Sequence, residues 1–307
     1  MSLASPTPRQ AVLELVFAGS LWGFGFIATQ WALVTWSPQG VLTLRFVGAV
    51  ILGEILHTFF RQQKASSADR WHDFKLAIPA GLLLGASLLL QTIGLQYTTA
   101  SKSGFITTLY VIIVPALNFI LFKKRFSPWI LAFASVACLG AYLLMNLEVS
   151  VVSAQVNEGD LWTLACAVFA AAHIIYIGQV TKKVKNPFRL NNFQSLWALM
   201  IILPMFLWNP QFQTGGITAQ SLWGVLILAA ACSVLAFFIQ VRAQKVLSDT
   251  TASMIFLLES PYAFFFAYLL MDDTLAKTQV LGAVLIVISA VATVLLEQRG
   301  PTSKKQS

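Results

Sequence analysis

Charged residues are scarce in this chain. Only 10% of its 307 residues are Asp, Glu, Lys or Arg, whereas 57% are hydrophobic. In soluble globular proteins, charged residues make up roughly a quarter of the chain. The composition therefore excludes an ordinary soluble domain and predicts a polytopic membrane protein.

Sequence motifs of common catalytic and metal sites are also missing. The chain has no G-x-x-x-x-G-K-[ST] loop, no H-E-x-x-H and no G-x-S-x-G, and its three histidines lie in separate segments, at His57, His72 and His173. The three cysteines fall within apolar runs and show no paired spacing. An ATP-driven pump, a zinc site and a disulfide framework are therefore disfavoured, and we expect no cofactor and no bound metal.

Long hydrophobic runs, in contrast, occur throughout the chain. They are continuous rather than alternating, and each is about as long as a helix that crosses a bilayer, so they predict helices rather than barrel strands. The fold class is therefore an all-α polytopic membrane protein with ten transmembrane helices, five in each half. The runs lie near 11–34, 39–60, 74–95, 101–122, 127–147, 160–181, 190–208, 220–243, 250–271 and 277–296.

A weak internal repeat relates the two halves. Adding 149 to a position in the first half repeatedly gives a related residue in the second, as it does for Gln91 and Gln240. The repeat predicts one five-helix unit at 1–148 and a second at 149–307, which ends in a short basic tail. Because five is an odd number, the second unit must cross the membrane in the opposite sense, so we expect a 5+5 inverted-topology repeat.

The cations lie in alternate loops and predict the orientation. Nearly all Lys and Arg residues fall on one side, which the positive-inside rule assigns to the cytoplasm together with both termini. Lys123 and Lys124 map by the offset onto Asp272 and Asp273, as expected for equivalent positions that face opposite compartments. The net charge of +8 therefore reflects topology, and we expect no nucleic-acid partner. The predicted location is the cell (inner) membrane.

One ionisable group stands alone in the ninth run. Within residues 250–271 the only ionisable residue at mid-depth is Glu259, followed two residues later by Pro261. An acid at that depth must be paired, protonated or facing water, so a functional role is favoured, with the proton as a candidate coupling ion. The alternative is a protonated acid that bonds a neighbour. The offset relates Glu259 to Tyr110, and prolines at Pro261 and Pro115 predict kinks.

Other polar and aromatic residues inside the runs are candidate substrate contacts. His173 could be a neutral core histidine or a proton or substrate contact. The related pair Gln91 and Gln240 could meet at one site or simply link helices. Aromatic rings could line an apolar site or pack between helices. The candidate substrate-binding set is Trp22, Gln91, Tyr110, His173, Tyr176, Gln240 and Glu259.

Two cations near the predicted outer side have alternative roles. Arg45 is close enough to the start of its helix to extend to the outer interface, so a structural anchor is favoured over an anion contact. Its repeat mate is Gln194. Lys102 opens the fourth helix, where it could lie at the interface or attract anions; the interface is favoured.

Several of these features occur together in EamA-like transporters of the drug/metabolite transporter superfamily, which the chain resembles over essentially its whole length. The cues are the inverted repeat, the acid close to proline in helix 9, and the short motifs Leu21-Trp22-Gly23, Arg45-Phe46 and Thr98-Thr99-Ala100-Ser101. A serine separates the acid from the proline, whereas the family often has them adjacent. The resemblance implies a central cavity lined by helices 1, 3, 4, 6, 8 and 9, and export of small metabolites such as amino acids by alternating access.

The leading hypothesis is therefore a secondary transporter, with a small-molecule substrate, the lipid bilayer and the candidate proton as partners. We expect a monomer or a homodimer. The alternative is an intramembrane enzyme, a hydrolase or acyltransferase, without a recognisable motif. A scaffold or sensor would not need mid-depth polar residues on six helices.

Overall fold

The computed structural model describes residues 5–59, 66–94, 97, 100–124, 127–144, 157–208, 215–270 and 276–299. Within these ranges the regular elements are helices, and nine stretches are long and apolar enough to cross a membrane. A shorter apolar helix, Pro128–Leu144, lies between the fourth and fifth of them. The chain is therefore a multi-pass α-helical membrane protein, as predicted.

The helices are numbered α1 to α10 in chain order. Those of the first half are α1 (Pro8–Leu33), α2 (Pro38–Phe59), α3 (Ser67–Gly94), α4 (Ala100–Thr108 and Tyr110–Phe122) and α5 (Pro128–Leu144). Those of the second half are α6 (Glu158–Val180), α7 (Pro187–Trp208), α8 (Ala219–Ala243), α9 (Asp249–Phe256 and Glu259–Leu270) and α10 (Lys277–Arg299).

Several helix starts follow directly from the local sequence. Thr7, Asn157 and Thr218 form capping boxes. The side chain of each accepts a hydrogen bond from the third helical N–H, and its own backbone N–H donates to the side chain of that third residue. Ser248 caps α9 in the simpler way, by accepting from the Thr251 N–H. Each such cap stabilises its helix by about 1 kcal/mol because it satisfies an N–H that the helix itself leaves unpaired.

The bundle has two ends, each marked by contacts between the halves. At the first, the Thr35 hydroxyl donates to the Gly216 carbonyl at 2.8 Å, which joins the α1–α2 turn to the segment before α8. At the second, Lys124 Nζ lies 3.4 Å from Asp249 Oδ2, which joins the end of α4 to the start of α9. We call them the Thr35 end and the Asp249 end. The predicted topology places the Asp249 end in the cytoplasm.

The main contacts between helices come in pairs that are related by exchange of the two halves. α3 packs against α6 and α7, and α8 packs against α1 and α2. Likewise α1 packs against α9, and α6 packs against α4. α2 with α7, α4 with α9, and α5 with α10 each contact their own repeat mate. This exchange symmetry is the arrangement expected of an inverted repeat.

Both α4 and α9 are interrupted at the same repeat position. α4 breaks at Leu109, and α9 breaks at residues 257–258. In α9 the cause is Pro261, which has no N–H for the carbonyl four residues before it. In α4 the expected kink at Pro115 is not found, since this proline lies inside a continuous helical segment. The break occurs earlier in the helix. There the Thr108 hydroxyl instead donates to the carbonyl three residues earlier, a bond that competes with the helix ladder.

α8 contains a feature that the sequence did not predict, a π-helical segment at Leu228–Ala236. Its wider turn alters the i→i+4 carbonyl pairing, and side chains of other helices use its carbonyls. Trp22 Nε1 donates to the Cys232 carbonyl at 3.2 Å, and Asn191 Nδ2 donates to the Val234 carbonyl at 2.9 Å. The π segment thereby ties α8 to α1 and α7 at the centre of the bundle.

Candidate functional site

A cavity of about 450 Å³ lies between the two halves. Its volume is within the usual range of small-molecule sites. The resemblance implied walls from helices 1, 3, 4, 6, 8 and 9; all six contribute, and the structure adds α2 through Arg45. Thr29, Leu33 and Ser103 also line the cavity, so it extends from the centre of the bundle towards the Thr35 end.

Six of the seven candidate substrate contacts line this cavity, one from each of six helices. They are Trp22, Gln91, Tyr110, His173, Gln240 and Glu259. Tyr176 is not among the described lining residues, because its hydroxyl donates to the Leu76 carbonyl at 3.0 Å and its ring packs on an apolar cluster between α3, α6 and α7. Whether the six bind a substrate stays a prediction.

Tyr110 and Glu259, which the repeat offset relates to each other, lie side by side in the cavity. Each is the first residue of the second segment of its broken helix, so Glu259 lies at a helix N-terminus, where the backbone N–H groups favour a negative charge. The Tyr110 hydroxyl is buried beside the Glu259 carboxyl, but the two groups make no hydrogen bond of standard geometry. A buried hydroxyl without a hydrogen bond costs about 1–3 kcal/mol.

One wall of the cavity is aromatic and rigid. The Trp22 ring packs against Phe237 and Phe256, with ring centroids 5.2 Å apart in both pairs. Its Nε1 is held by the Cys232 carbonyl. Because the indole is fixed by three contacts from α8 and α9, it presents a preformed apolar surface to the cavity.

A directed chain of hydrogen bonds holds His173. Main-chain carbonyls can only accept, so Asn191 Nδ2 donates to the carbonyls of Ser233 and Val234. Asn191 Oδ1 then accepts from Gln194 Nε2 at 2.8 Å, and Gln194 Oε1 accepts from His173 Nε2 at 3.1 Å. This direction places the proton of a neutral imidazole on Nε2 and leaves Nδ1 as the acceptor.

The two repeat-related glutamines face the same cavity from opposite halves. Gln91 Nε2 donates to the Thr107 hydroxyl at 3.3 Å, and Gln240 Nε2 donates to Gln244 Oε1 at 3.0 Å. Gln244 in turn donates to the Ile174 carbonyl at 2.9 Å. The amides therefore bond within their own halves, and neither side-chain oxygen accepts a hydrogen bond from the part of the chain that the structure describes.

Arg45 occupies an unexpected position. The sequence favoured an anchor at the outer interface, but the side chain is buried, lines the cavity and donates from Nε to Ser233 Oγ at 2.8 Å. No acidic side chain of the described ranges lies within 4.0 Å of it. The side chain of Lys102 lies outside the described residues.

A second cavity, of about 610 Å³, lies at the Asp249 end. Its walls include Asn118, Lys124, Gly178, Gln244 and Asp249. On four helices, buried residues separate the positions that line one cavity from those that line the other. These are Val111 and Val114 of α4, Ile175 and Ile177 of α6, Val241 and Ala243 of α8, and residues 252–255 of α9. The central cavity is therefore closed towards the Asp249 end by a packed layer.

Asp249 fastens this closed end. Its Oδ2 accepts hydrogen bonds from Asn118 Nδ2 of α4 at 3.3 Å and from Lys124 Nζ, just after the end of α4, at 3.4 Å. The carboxylate also lies against Gly178 of α6, where any added Cβ would overlap it. The start of α9 is therefore held to α4 and α6 by a contact that only glycine permits.

Comparison with known proteins gives a consistent picture. The model of the EamA-like transporter family matches residues 10–146 and 157–295. A curated relative from Archaeoglobus fulgidus, named an uncharacterized transporter, is 28% identical over 282 residues, which cover 92% of this chain and 84% of the relative. A solved structure described only as "Crystal structure of protein" has a TM-score of 0.74 over 96% of this chain and 99% of its own, at 16% identity, and shows a shared fold.

Proposed function

The chain belongs to the EamA-like transporter family and is a membrane transporter, and we propose that it is a secondary transporter that exports small metabolites, such as amino acids, by alternating access. The observation that carries the proposal is the central cavity. It combines an aromatic wall, two amides, a histidine, an acid and a guanidinium between the two halves. This mixture suits a small polar solute that also has an apolar part.

Alternating access is supported by the difference between the two ends. Thr29 and Leu33 line the central cavity, which extends to the Thr35 end. Their repeat mates, Gly178 and Lys182, line the separate cavity beyond the packed layer at the Asp249 end. If the two halves exchanged conformations, the first end would close and the second would open, which is how an inverted repeat exposes one site to each side in turn.

The coupling ion and the direction are part of the proposal. Glu259 is the only acid of the cavity lining in the described ranges, and its carboxyl borders the unpaired Tyr110 hydroxyl. A proton taken up there would alter the charge of the cavity and could favour one access state. Export follows the family resemblance. The predicted location in the inner membrane, with both termini in the cytoplasm, places the open cavity on the outer side.

One chain suffices for this mechanism. Both halves that form the central cavity belong to the same polypeptide, so the transport unit is one chain, as a monomer or as each protomer of a homodimer. Proteoliposomes loaded with unlabelled amino acids provide the test, because a secondary transporter exchanges them for external radiolabelled solute with saturable kinetics. An absence of saturable exchange across an amino-acid panel would count against the proposal.

A further inference from the structure

Arg45 enters the cavity with most of its hydrogen-bond donors unused. The residue is 9% exposed and lies among the cavity walls. Its Nε donates to Ser233 Oγ at 2.8 Å, and its Cζ lies 5.7 Å from the centre of the Phe46 ring. The two terminal nitrogens make no hydrogen bond to any residue within the described ranges. They are available to whatever the cavity holds.

A buried guanidinium without a counter-ion is unfavourable. Arginine stays protonated inside proteins, and an isolated buried charge is strongly destabilising unless it is paired. Glu259, the other charged residue in the described lining, forms no ion pair with Arg45. The structure therefore retains a cation whose natural partner is an anion in the cavity itself.

Ser233 determines how the guanidinium is presented. It is fully buried in the π-helical segment of α8, and its carbonyl accepts from Asn191 Nδ2 at 3.2 Å. The backbone of the residue that holds Arg45 Nε is thus bonded from α7. With Nε occupied, the terminal edge of the guanidinium remains, and its two parallel N–H groups match the two oxygens of a carboxylate.

We propose that Arg45 is a specificity-determining residue that binds the carboxylate of the transported solute, and that Ser233 is the residue that positions it. The proposal deepens the proposed function and rests on it, because the solute must reach the central cavity. It names the substrate class as small molecules with a free carboxylate. Solutes whose carboxyl group is converted to an amide lose the charge that Arg45 recognises.

Thermal unfolding of the purified protein tests this binding without any transport. The probes are acetate, isovalerate, leucine and phenylalanine, each compared with its carboxamide at ionic strength matched with sodium chloride. Ligands that bind the folded state raise the melting temperature. We expect at least one carboxylate to raise it while its amide does not. Arg45→Gln should need at least about tenfold more carboxylate for the same rise, because a charge-assisted bidentate contact is lost.

Matched variants separate recognition from structure. Arg9→Gln removes an exposed cation at the start of α1 and should respond like the wild type. Ser233→Ala should weaken carboxylate binding several-fold, and Ser233→Thr, which keeps the hydroxyl, should restore it. Without ligand, Arg45→Gln should melt at or above the wild-type temperature, because it removes an unpaired buried charge. If the role of Arg45 were purely structural, Arg45→Gln would instead lower the melting temperature and would keep the preference for acids over amides.

The proposal is overturned if no probe carboxylate stabilises the wild type, if amides or chloride stabilise it equally, or if Arg45→Gln responds like Arg9→Gln. These outcomes are separate from failure of the proposed function. Carboxylate binding that depends on Arg45 in a protein without saturable exchange would refute transport and leave the binding site standing. Saturable exchange with equal affinity for acid and amide would support transport and refute the carboxylate site at Arg45.

Discussion

Gly178→Ala is expected to open the Asp249 end of the bundle. A Cβ at this position would overlap the Asp249 carboxylate, which accepts hydrogen bonds from Asn118 at 3.3 Å and Lys124 at 3.4 Å. The carboxylate must then move and lose those contacts before α6 and α9 can pack as they do here. Only the state in which this end is closed is destabilised.

The size of the effect follows from the two lost contacts. The bond from Asn118 goes to a charged, buried acceptor and is worth about 1.5–3 kcal/mol. The Lys124 side chain is 52% exposed, so its ion pair adds at most about 1 kcal/mol. A net loss of about 2 kcal/mol shifts the equilibrium between the two access states about 30-fold. The better helix propensity of alanine favours both states equally.

Thiol labelling of the open cavity measures the shift. Thr29 lines the cavity. The substitution Thr29→Cys is introduced into a variant without the native cysteines, and an impermeant reagent is added on the side of the Thr35 end. Suppose that the state closed at the Asp249 end is favoured about tenfold over the other access state in the wild type. A shift of about 30-fold in Gly178→Ala then leaves about one quarter of the molecules in the closed state, and the labelling rate falls about fourfold. Gly216→Ala is the matched control, because no atom lies within 4 Å of the added Cβ. Equal labelling rates in all three proteins would refute the role assigned to Asp249.

Three further predictions follow from the cavity and the topology. Glu259→Gln keeps the shape of a protonated acid but cannot change charge, so exchange without a gradient should survive while pH-driven accumulation is lost; full retention of that accumulation in vesicles would end the coupling idea. Gln91→Leu and Gln240→Leu should each lower apparent substrate affinity several-fold, for a loss of about 1 kcal/mol, in exchange assays; unchanged affinity in both would mean that the amides only link helices. Cysteines placed within 149–159 should react with impermeant reagent on intact cells, and those within 182–189 should be protected; the opposite pattern would overturn the topology.

The sequence predicted those features that repeat or that depend on apolar length. The ten helices follow from continuous apolar runs, and the offset of 149 correctly related Tyr110 to Glu259, which lie side by side in the structure. The offset also brought Gln91 and Gln240 to one cavity. These predictions succeed because duplicated halves preserve position even where they no longer preserve residue type.

The predictions failed where the rotation of a helix decides the outcome. Arg45 was assigned to the interface and Tyr176 to the cavity, and the structure reverses both positions. In a bundle buried on several sides, apolar residues surround each helix, so periodicity does not show which face meets the cavity. Asn191 and Gln194 were missed as supports of His173 for the same reason, although a cluster of polar residues within an apolar run was a signal that could have found them.

The π-helical segment of α8 and the position of the break in α4 could not be predicted from the hydrophobic pattern either. The π-helical segment of α8 carries no proline and no glycine. Side chains from α1, α2 and α7, which are distant in sequence, form hydrogen bonds with it. The break in α4 lies at Leu109, before Pro115. The π-helical segment is therefore bonded by tertiary contacts, whereas the break in α4 coincides with the local bond from the Thr108 hydroxyl to the Phe105 carbonyl. The hydrophobic pattern encodes neither feature.

Transport through the cavity between the halves is tested most directly by exchange of radiolabelled amino acids in proteoliposomes that contain one of two tryptophan variants. Trp22 forms the aromatic wall of the cavity, whereas Trp223 is 59% exposed on the surface of the bundle. The wild type and Trp223→Leu should show the same saturable exchange, and Trp22→Leu should need about tenfold more solute for half-maximal rate, because about 1.4 kcal/mol of aromatic contact is lost. Exchange that is absent in the wild type, or that is equally strong in both variants, would contradict transport by this route.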